Sequence, residues 1–391
     1  LSTPEKLAEI LGFLRRREAS MVRLLNRFVR CESPTDSKPA VDAFGRLVAA
    51  EWRKRGAKVQ FLRRKKEGHH LRVIWPATHL GRNPGAGRSN QVLVLGHLDT
   101  VYELGTILRM PFRVARGRAF GPGVFDMKGG LVIALFAATA LVQAAWLPRR
   151  RVVLLWTSDE ETGSNGSREI IEQEACRSAA VLVLEPAAGS EGQLKTRRKA
   201  TGTAELVISG RAAHAGLNPE QGVNAVHELV LQAARLMRLN NPRRGITANP
   251  TMVLGGTRSN VIPAEARLTV DLRAETLADM RRLERKLKTL RPILRGARVC
   301  LRGGFSRPPL EHRASVTLFS QARELARGLG FSVEECLAGG GSDGNFTAAL
   351  GVPTLDGLGA VGRGAHCPDE QVIISALPQR AALLAALLAT L

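Results

Sequence analysis

At 391 residues the chain exceeds what one ordinary core accommodates, and two domains are expected. A hydrophobic fraction of 44% excludes a disordered chain, and five scattered cysteines without a CxxC pair exclude a disulfide framework or a cysteine zinc site. The charge of +22 can attract anions, but the basic runs are dispersed and aromatics are only 4%, too few to stack on bases. The basic runs are therefore read as a solvated surface, with no nucleic-acid partner.

The N-terminal stretch LSTPEKLAEILGFLRRRE has no long apolar segment behind a basic start. No secretory signal is expected, and a reducing, cytoplasmic setting is. The Leu at position 1 leaves a trimmed leader open. QVLVLG (91–96), RVVLLWT (151–157) and AVLVLE (180–185) are continuous apolar runs of strand length. Helical stretches near 131–146 and 167–175 separate them. Runs apolar on both faces predict a doubly wound, mainly parallel α/β sheet. The apolar run 131–146 falls short of the roughly 20 residues that cross a bilayer. It reads as a buried helix, and no membrane partner is expected.

Near residue 200 the pattern changes. GTAELVISG alternates with period two, followed by a helix over about 224–239, strands at 251–256 and 266–274, a helix with Leu277, Met280, Leu283, Leu287 and Leu290 three or four apart, and a strand at 297–303. Thr276 is placed to cap that helix, with Asp279 in its first turn. The order β-α-β-β-α-β is that of a ferredoxin-like sandwich. Arg281, Arg282, Arg285, Lys286 and Lys288 occupy the opposite, solvated face. Doubly wound character returns near 311. The expected division is 1–199 and 310–391 as one domain, with 200–309 inserted.

The chemistry-bearing residues sit in loops after the apolar runs, where doubly wound sheets gather functional groups. GHLDT places His97 and Asp99 two apart, so Asp99 can orient a metal-bound imidazole; alone, such a pair is more often a structural loop. GPGVFDMKGG carries Asp126 before the buried helix, either as an ordinary cap or as a carboxylate bridging two cations. In SDEETG the adjacent Glu160 and Glu161 point to opposite sides. One can ligate while the other takes a proton, and the residues alone leave open which. Glu185 ends an apolar strand and needs a cationic partner. His366 lies among small residues in GRGAHCPDE, and Cys367 is read as its plain neighbour rather than a soft ligand. His214 in GRAAHAG reads alone as a surface histidine. His69, His70, His79, His227 and His312 carry no motif.

In this order, and together with LEP, SNVIPAEARLTVDLR and GGGSDGNF, these motifs resemble the di-zinc aminoacylase and carboxypeptidase family. That family includes glutamate carboxypeptidase, acetylornithine deacetylase and succinyl-diaminopimelate desuccinylase. GPG before Asp126 and DGLGAVGRGAH resemble the glutamate carboxypeptidase branch most. The resemblance implies two Zn2+, replaceable in vitro by Co2+ or Mn2+. Asp126 would be shared, His97 and Glu185 would hold one ion, and Glu161 and His366 the other. It makes Glu160 the general base and Asp99 the partner of His97. His214 would reach into the site of a second chain through a dimer built on the inserted lid domain, with Asn260 assisting. Arg273, Arg307 and Gly340 would contact substrate, although Arg307 reads equally as a surface residue before Pro308 and Pro309.

The implied reaction is hydrolysis of an amide bond in a small peptide bearing a free carboxylate, by a water activated between the metals. The main rival is an N-acyl amino acid deacylase with the same metals and a different pocket. A non-catalytic binding protein on the same fold is disfavoured by the presence of every implied ligand together with Glu160.

Overall fold

The computed structural model describes residues 3–76 and 90–391, and His79 lies outside them. Two compact units are present. The larger comprises Leu1–Thr196, His312–Leu337 and Ser342–Leu391; the smaller comprises Arg197–Glu311 and Ala338–Gly341.

In the larger unit, helices α1 (Thr3–Arg16), α2 (Glu18–Arg30) and α3 (Lys38–Arg53) precede β1 (Lys58–Leu62) and β2 (His70–Trp75). Then follow β3 (Gln91–His97), α4 (Gly129–Gln143), β4 (Arg151–Thr157), α5 (Arg168–Cys176) and β5 (Ser178–Val183). The sheet runs β1-β2-β4-β3-β5 and ends on a short strand, Thr354–Leu355. β3 pairs in parallel with both β4 and β5, and the short strand pairs in parallel with β5. β1 and β2 form an antiparallel margin. The mainly parallel expectation holds for the core of the sheet only.

Strand alternation explains why the sheet is covered twice. Val92, Val94, Val152, Leu154 and Leu182 enter one hydrophobic core, together with Phe28, Leu135 and Leu383. The intervening Leu93, Leu95, Val153, Leu155 and Val181 enter the other, with Ile171 and Ala175 of α5. Successive side chains point to opposite faces, so a continuous apolar run is stable only between two layers. Each Val or Leu so buried contributes about 1.5–3 kcal/mol of transfer free energy.

Helix α4 is apolar all round. A Cβ at Gly130 would lie 2.4 Å from the Leu184 carbonyl oxygen, so glycine lets this helix approach the end of β5. With the turn Val124–Lys128 the apolar segment extends over Val124–Gln143, 20 residues, which is long enough to cross a bilayer. That corrects the shorter length inferred from the run starting at Leu131. Burial decides its role: 89% of its most apolar stretch is enclosed by protein, as in a core helix.

The smaller unit contains β6 (Ala200–Ser209), α6 (Ala225–Met237), β7 (Thr247–Gly255), β8 (Glu265–Ala274), α7 (Leu277–Lys288) and β9 (Arg298–Arg307). Its sheet is antiparallel throughout, in the order β7-β8-β6-β9. Ala204, Leu206 and Ile208 alternate into a core with Leu268, Val270, Leu229 and Leu283. The Thr276 hydroxyl accepts the Asp279 N–H at 3.1 Å, the cap read from the sequence. Asn224 caps α6 through the His227 N–H at 2.9 Å.

Two buried carboxylates tie the larger unit together. Glu51 meets Lys54 at 2.9 Å, Arg27 at 3.0 Å and Arg55 at 3.1 Å; Glu174 meets Arg72 at 2.8 Å. Burial raises the pKa of both groups, but the cations outweigh it and hold each below the ordinary carboxylate value of 4.5. A folded-state pKa below the unfolded value adds stability above pH 4.5, and that stability is lost as pH falls through the folded value. The double variant E51Q/E174Q should melt lower at neutral pH and show a flatter loss of Tm on acidification. An acid limb identical to that of the wild type would show that these pairs do not contribute.

Candidate functional site

β3 lies between its two successors β4 and β5, so the three strand ends open at the switch point of the sheet. His97 ends β3, Glu160 and Glu161 follow β4, and Glu185 follows β5. His97 is buried, at 2% exposure. Its Nε2 lies 3.2 Å from Asp126 Oδ1 and 3.5 Å from Glu185 Oε1. The second Asp126 oxygen, Oδ2, lies 3.4 Å from His366 Nε2, which is also 3.2 Å from Glu161 Oε2. Asp126 thus divides its two oxygens between two imidazoles, each with a glutamate of its own. Glu160 joins His97 and Glu185 in one ligand-sized group, and Asp126 and Glu161 join His97 in another.

Hydrogen bonds to Asp126, Asp99 and Glu185 overcome the burial that opposes charge on His97, and its pKa stands well above that of a free imidazole. Bonds to Asp126 and Glu161 raise His366 to about 10. Burial would raise Asp126, but the two imidazoles drive it below the carboxylate range. Glu161 goes the other way, raised by burial against the pull of His366.

The donor set fits a pair of divalent cations. Four carboxylates converge on His97 in two groups whose ligand atoms lie within 4.8 Å of one another, His366 adjoins Asp126 and Glu161, and Glu161 Oε1 is buried with no hydrogen-bond partner among the described residues. Nitrogen and oxygen donors without a thiolate suit zinc, cobalt or manganese. Cys367 is exposed and takes part in neither group; its carbonyl accepts the Tyr102 hydroxyl at 3.0 Å.

Asp99, Glu370 and Asp343 hold the turns of these side chains, Lys128 anchors the segment after Asp126, and only Asp99 carried a sequence assignment. His97 Nδ1 meets the Asp99 carbonyl at 2.9 Å and the Asp99 carboxylate at 3.5 Å. That carboxylate also accepts the Glu161 N–H at 3.2 Å, the Glu160 N–H at 3.4 Å and the Thr35 hydroxyl at 2.8 Å. Asp99 therefore orients both the histidine and the glutamate turn. Glu370, fully buried, accepts the N–H groups of Gly123, Phe125 and Asp126 at 2.9, 2.7 and 2.9 Å. Burial lifts its pKa to about 7 against those bonds and Tyr102. It clamps the loop of His366 to that of Asp126, and its only sequence signal is the acidic end of GAHCPDE. Lys128 is buried and donates to the carbonyls of Phe28 and Cys31 at 3.1 and 2.8 Å. Asp343, in GGGSDGNF, accepts the Thr157 hydroxyl at 3.2 Å and also the Ser164 hydroxyl, either side of Glu160.

The smaller unit carries the remaining sequence-predicted residues. His214 is exposed, and its Nδ1 accepts the N–H groups of Gly216 and Leu217, both at 3.1 Å, which leaves the proton on Nε2. Asn260 is exposed beside it, its carbonyl bonded to the Ala215 N–H at 2.9 Å. Arg273 is engaged by Asp271 through two bonds, at 2.9 and 2.8 Å, and is not a free guanidinium. Arg307 is buried at 7% exposure, which removes the surface reading. Gly340 is exposed, and its carbonyl accepts from Arg198 at 3.1 Å.

A two-metal donor set, buried at His97 and open to solvent at His366, at the switch point of a doubly wound sheet defines a metal-dependent hydrolase of small substrates. Residues 93–390 match Peptidase family M20/M25/M40, and the chain belongs to that family. It is 31% identical over 375 residues to carboxypeptidase G2 of Pseudomonas sp. (strain RS-16), covering 93% of this chain and 87% of the relative. The succinyl-diaminopimelate desuccinylase of Stenotrophomonas maltophilia is 29% identical, over 79% of this chain and 85% of its own length. Among solved structures, aminopeptidase PepT from Bacillus cereus superimposes with TM-score 0.76 at 21% identity, covering 95% of this chain and 98% of that one. A family metallo-carboxypeptidase from Sulfolobus solfataricus gives 0.72 at 17% identity, covering 94% and 98%. The overall architecture, a catalytic domain with a smaller inserted subdomain, is shared with these structures.

Two predictions follow from the cluster. In metal-free protein His97 and His366 hold protons on nitrogens that a metal must take, so binding must release protons and tighten as pH rises toward about 10. Calorimetry in buffers of different ionisation enthalpy should show that release; buffer-independent heats would contradict it. Glu370→Gln should weaken metal affinity about tenfold to a hundredfold with unchanged circular dichroism. Unaltered affinity would remove the clamp role.

Proposed function

We propose that this enzyme removes a carboxylate-bearing amino acid from a small peptide or acyl conjugate, in the manner of a glutamate carboxypeptidase, with two Zn2+ ions. The observation that carries the metal assignment is the division of Asp126 between His97 and His366, at 3.2 and 3.4 Å. His97 and Glu185 would hold one ion, Glu161 and His366 the other, with Asp126 within reach of both. When bound, such ions would supply the Lewis acidity that makes water a competent nucleophile near neutral pH.

The protein's own groups then move the protons. Glu160 is nearly buried, and the turn that carries it is held by Asp99 and Asp343. It takes a proton from the attacking water as the C–O bond forms, then passes it to the amine nitrogen as the C–N bond breaks. His214 donates its Nε2 proton toward the developing oxyanion, supplied by the second chain of a homodimer, with Asn260 beside it. Dimerisation through the inserted domain is supported by β7, an edge strand whose Met252, Val253 and Leu254 are 60, 58 and 62% exposed. Arg307 and the glycine loop at Gly340 receive the substrate carboxylate. Arg273 would contact the substrate from within its ion pair with Asp271, a pair of no net charge. The 31% identity to carboxypeptidase G2 supports a carboxypeptidase over an acyl amino acid deacylase, and the motif resemblance supports a C-terminal glutamyl substrate.

Glu160→Ala should keep both metals and lose at least a hundredfold in kcat, the usual scale of general-base catalysis. Hydrolysis at the wild-type rate would exclude Glu160 as base. A parallel panel of C-terminal glutamyl peptides and N-acyl amino acids reads the substrate class, and preference for the acyl amino acids would reverse it.

A further inference from the structure

The basic charge is not evenly spread within the smaller unit. Between Arg281 and Arg302 nine Lys and Arg residues face a single acid, Glu284, and all nine are exposed. At one end of this stretch is a cavity of about 560 Å³ lined by Arg211, Arg295 and Arg298, with Glu220 as its one carboxylate. No side-chain hydrogen bond or ion pair engages Arg295 or Arg298 among the described residues.

Its walls are built rather than incidental. The turn carrying Arg295 is fastened from beneath by Glu228, which is fully buried and accepts the N–H groups of Ile293 and Leu294 at 3.0 and 2.7 Å. Gln232, equally buried, donates to Glu228 at 2.7 Å and to the Arg291 carbonyl at 2.9 Å. On the facing wall Arg211 exchanges two backbone hydrogen bonds with Val223, both 2.9 Å, and its Nε donates to the Gln221 carbonyl. Gly296 closes on Val223: a Cβ there would lie 3.2 Å from the valine methyl. Glu228 and Gln232 fix the backbone from which Arg295 projects, and the Gln221 carbonyl holds the Arg211 guanidinium, which lowers the entropy cost of engaging a ligand.

We propose that this cavity is a binding site for a phosphate-class oxyanion, separate from the metal centre. Planar guanidiniums pair with phosphate oxygens through two parallel hydrogen bonds, and a multiply charged tetrahedral anion uses three of them better than a single carboxylate does. The basic stretch raises the local anion concentration. The volume of about 560 Å³ admits an orthophosphate ion, an oligophosphate or a phosphate group on a small organic body.

The test titrates the metal-loaded enzyme by calorimetry with pyrophosphate, glycerol phosphate and orthophosphate at constant ionic strength. The variants are R295Q/R298Q and, as an equal change of charge outside the cavity, R281Q/R282Q. Saturable binding of at least one ligand, weakened tenfold or more in R295Q/R298Q and less than threefold in R281Q/R282Q, is expected. Which ligand binds most tightly names the source. Equal weakening in both variants would mean a diffuse field and no site. Undiminished binding in R295Q/R298Q would place the phosphate elsewhere, the metal centre included. Either result, or no saturable binding by the wild type, overturns the proposal.

Discussion

Asp126, Glu160, Glu161 and Glu185 crowd four carboxylates around two imidazoles at the rim of a parallel sheet. Taking that much like charge out of water costs several kcal/mol per ion unless opposite charge accompanies it. The protein meets part of the cost with protons, which is why His97 and His366 are raised while Asp126 is lowered. Divalent cations meet it more fully, and the cluster is best understood as a folded-state debt of negative charge that metals settle.

The rest of the larger unit delivers those groups to one point. β3 sits between β4 and β5, so side chains from three strand ends and their loops converge without any long reach. Loops do not hold position by themselves, and here acidic side chains bind their backbones: Glu370 takes three consecutive-region N–H groups around Asp126, and Asp99 takes two from the Glu160 turn. Each clamp links segments far apart in the chain, so loss of one should be felt as metal affinity or geometry rather than as unfolding.

Much of this was legible in the sequence. RVVLLWT is β4 without adjustment, and the apolar runs end where the ligands begin, because a chain buried on both faces must place its polar groups at strand ends. AVLVLE was displaced: the strand starts at Ser178 and stops at Val183, so Glu185 is in the loop beyond it. What stayed hidden were contacts with no local signature. The grip of Glu370 on Gly123, Phe125 and Asp126 spans 244 to 247 residues of sequence, and the acidic end of GAHCPDE does not say which backbone it meets. The pairing of Asp271 with Arg273 was missed, although residues two apart on a strand share a face. The depth of Arg307 was not, because a double proline after it suggests a surface turn.

The central claim is that one aspartate serves two cations. Zinc content per chain, measured after dialysis for the wild type and for D126N, E185Q and E161Q, tests it most directly. Two ions in the wild type, one each in E185Q and E161Q, and fewer than one in D126N are expected. A D126N protein that keeps as much zinc as either glutamate variant, or a wild type that binds a single ion, would contradict it.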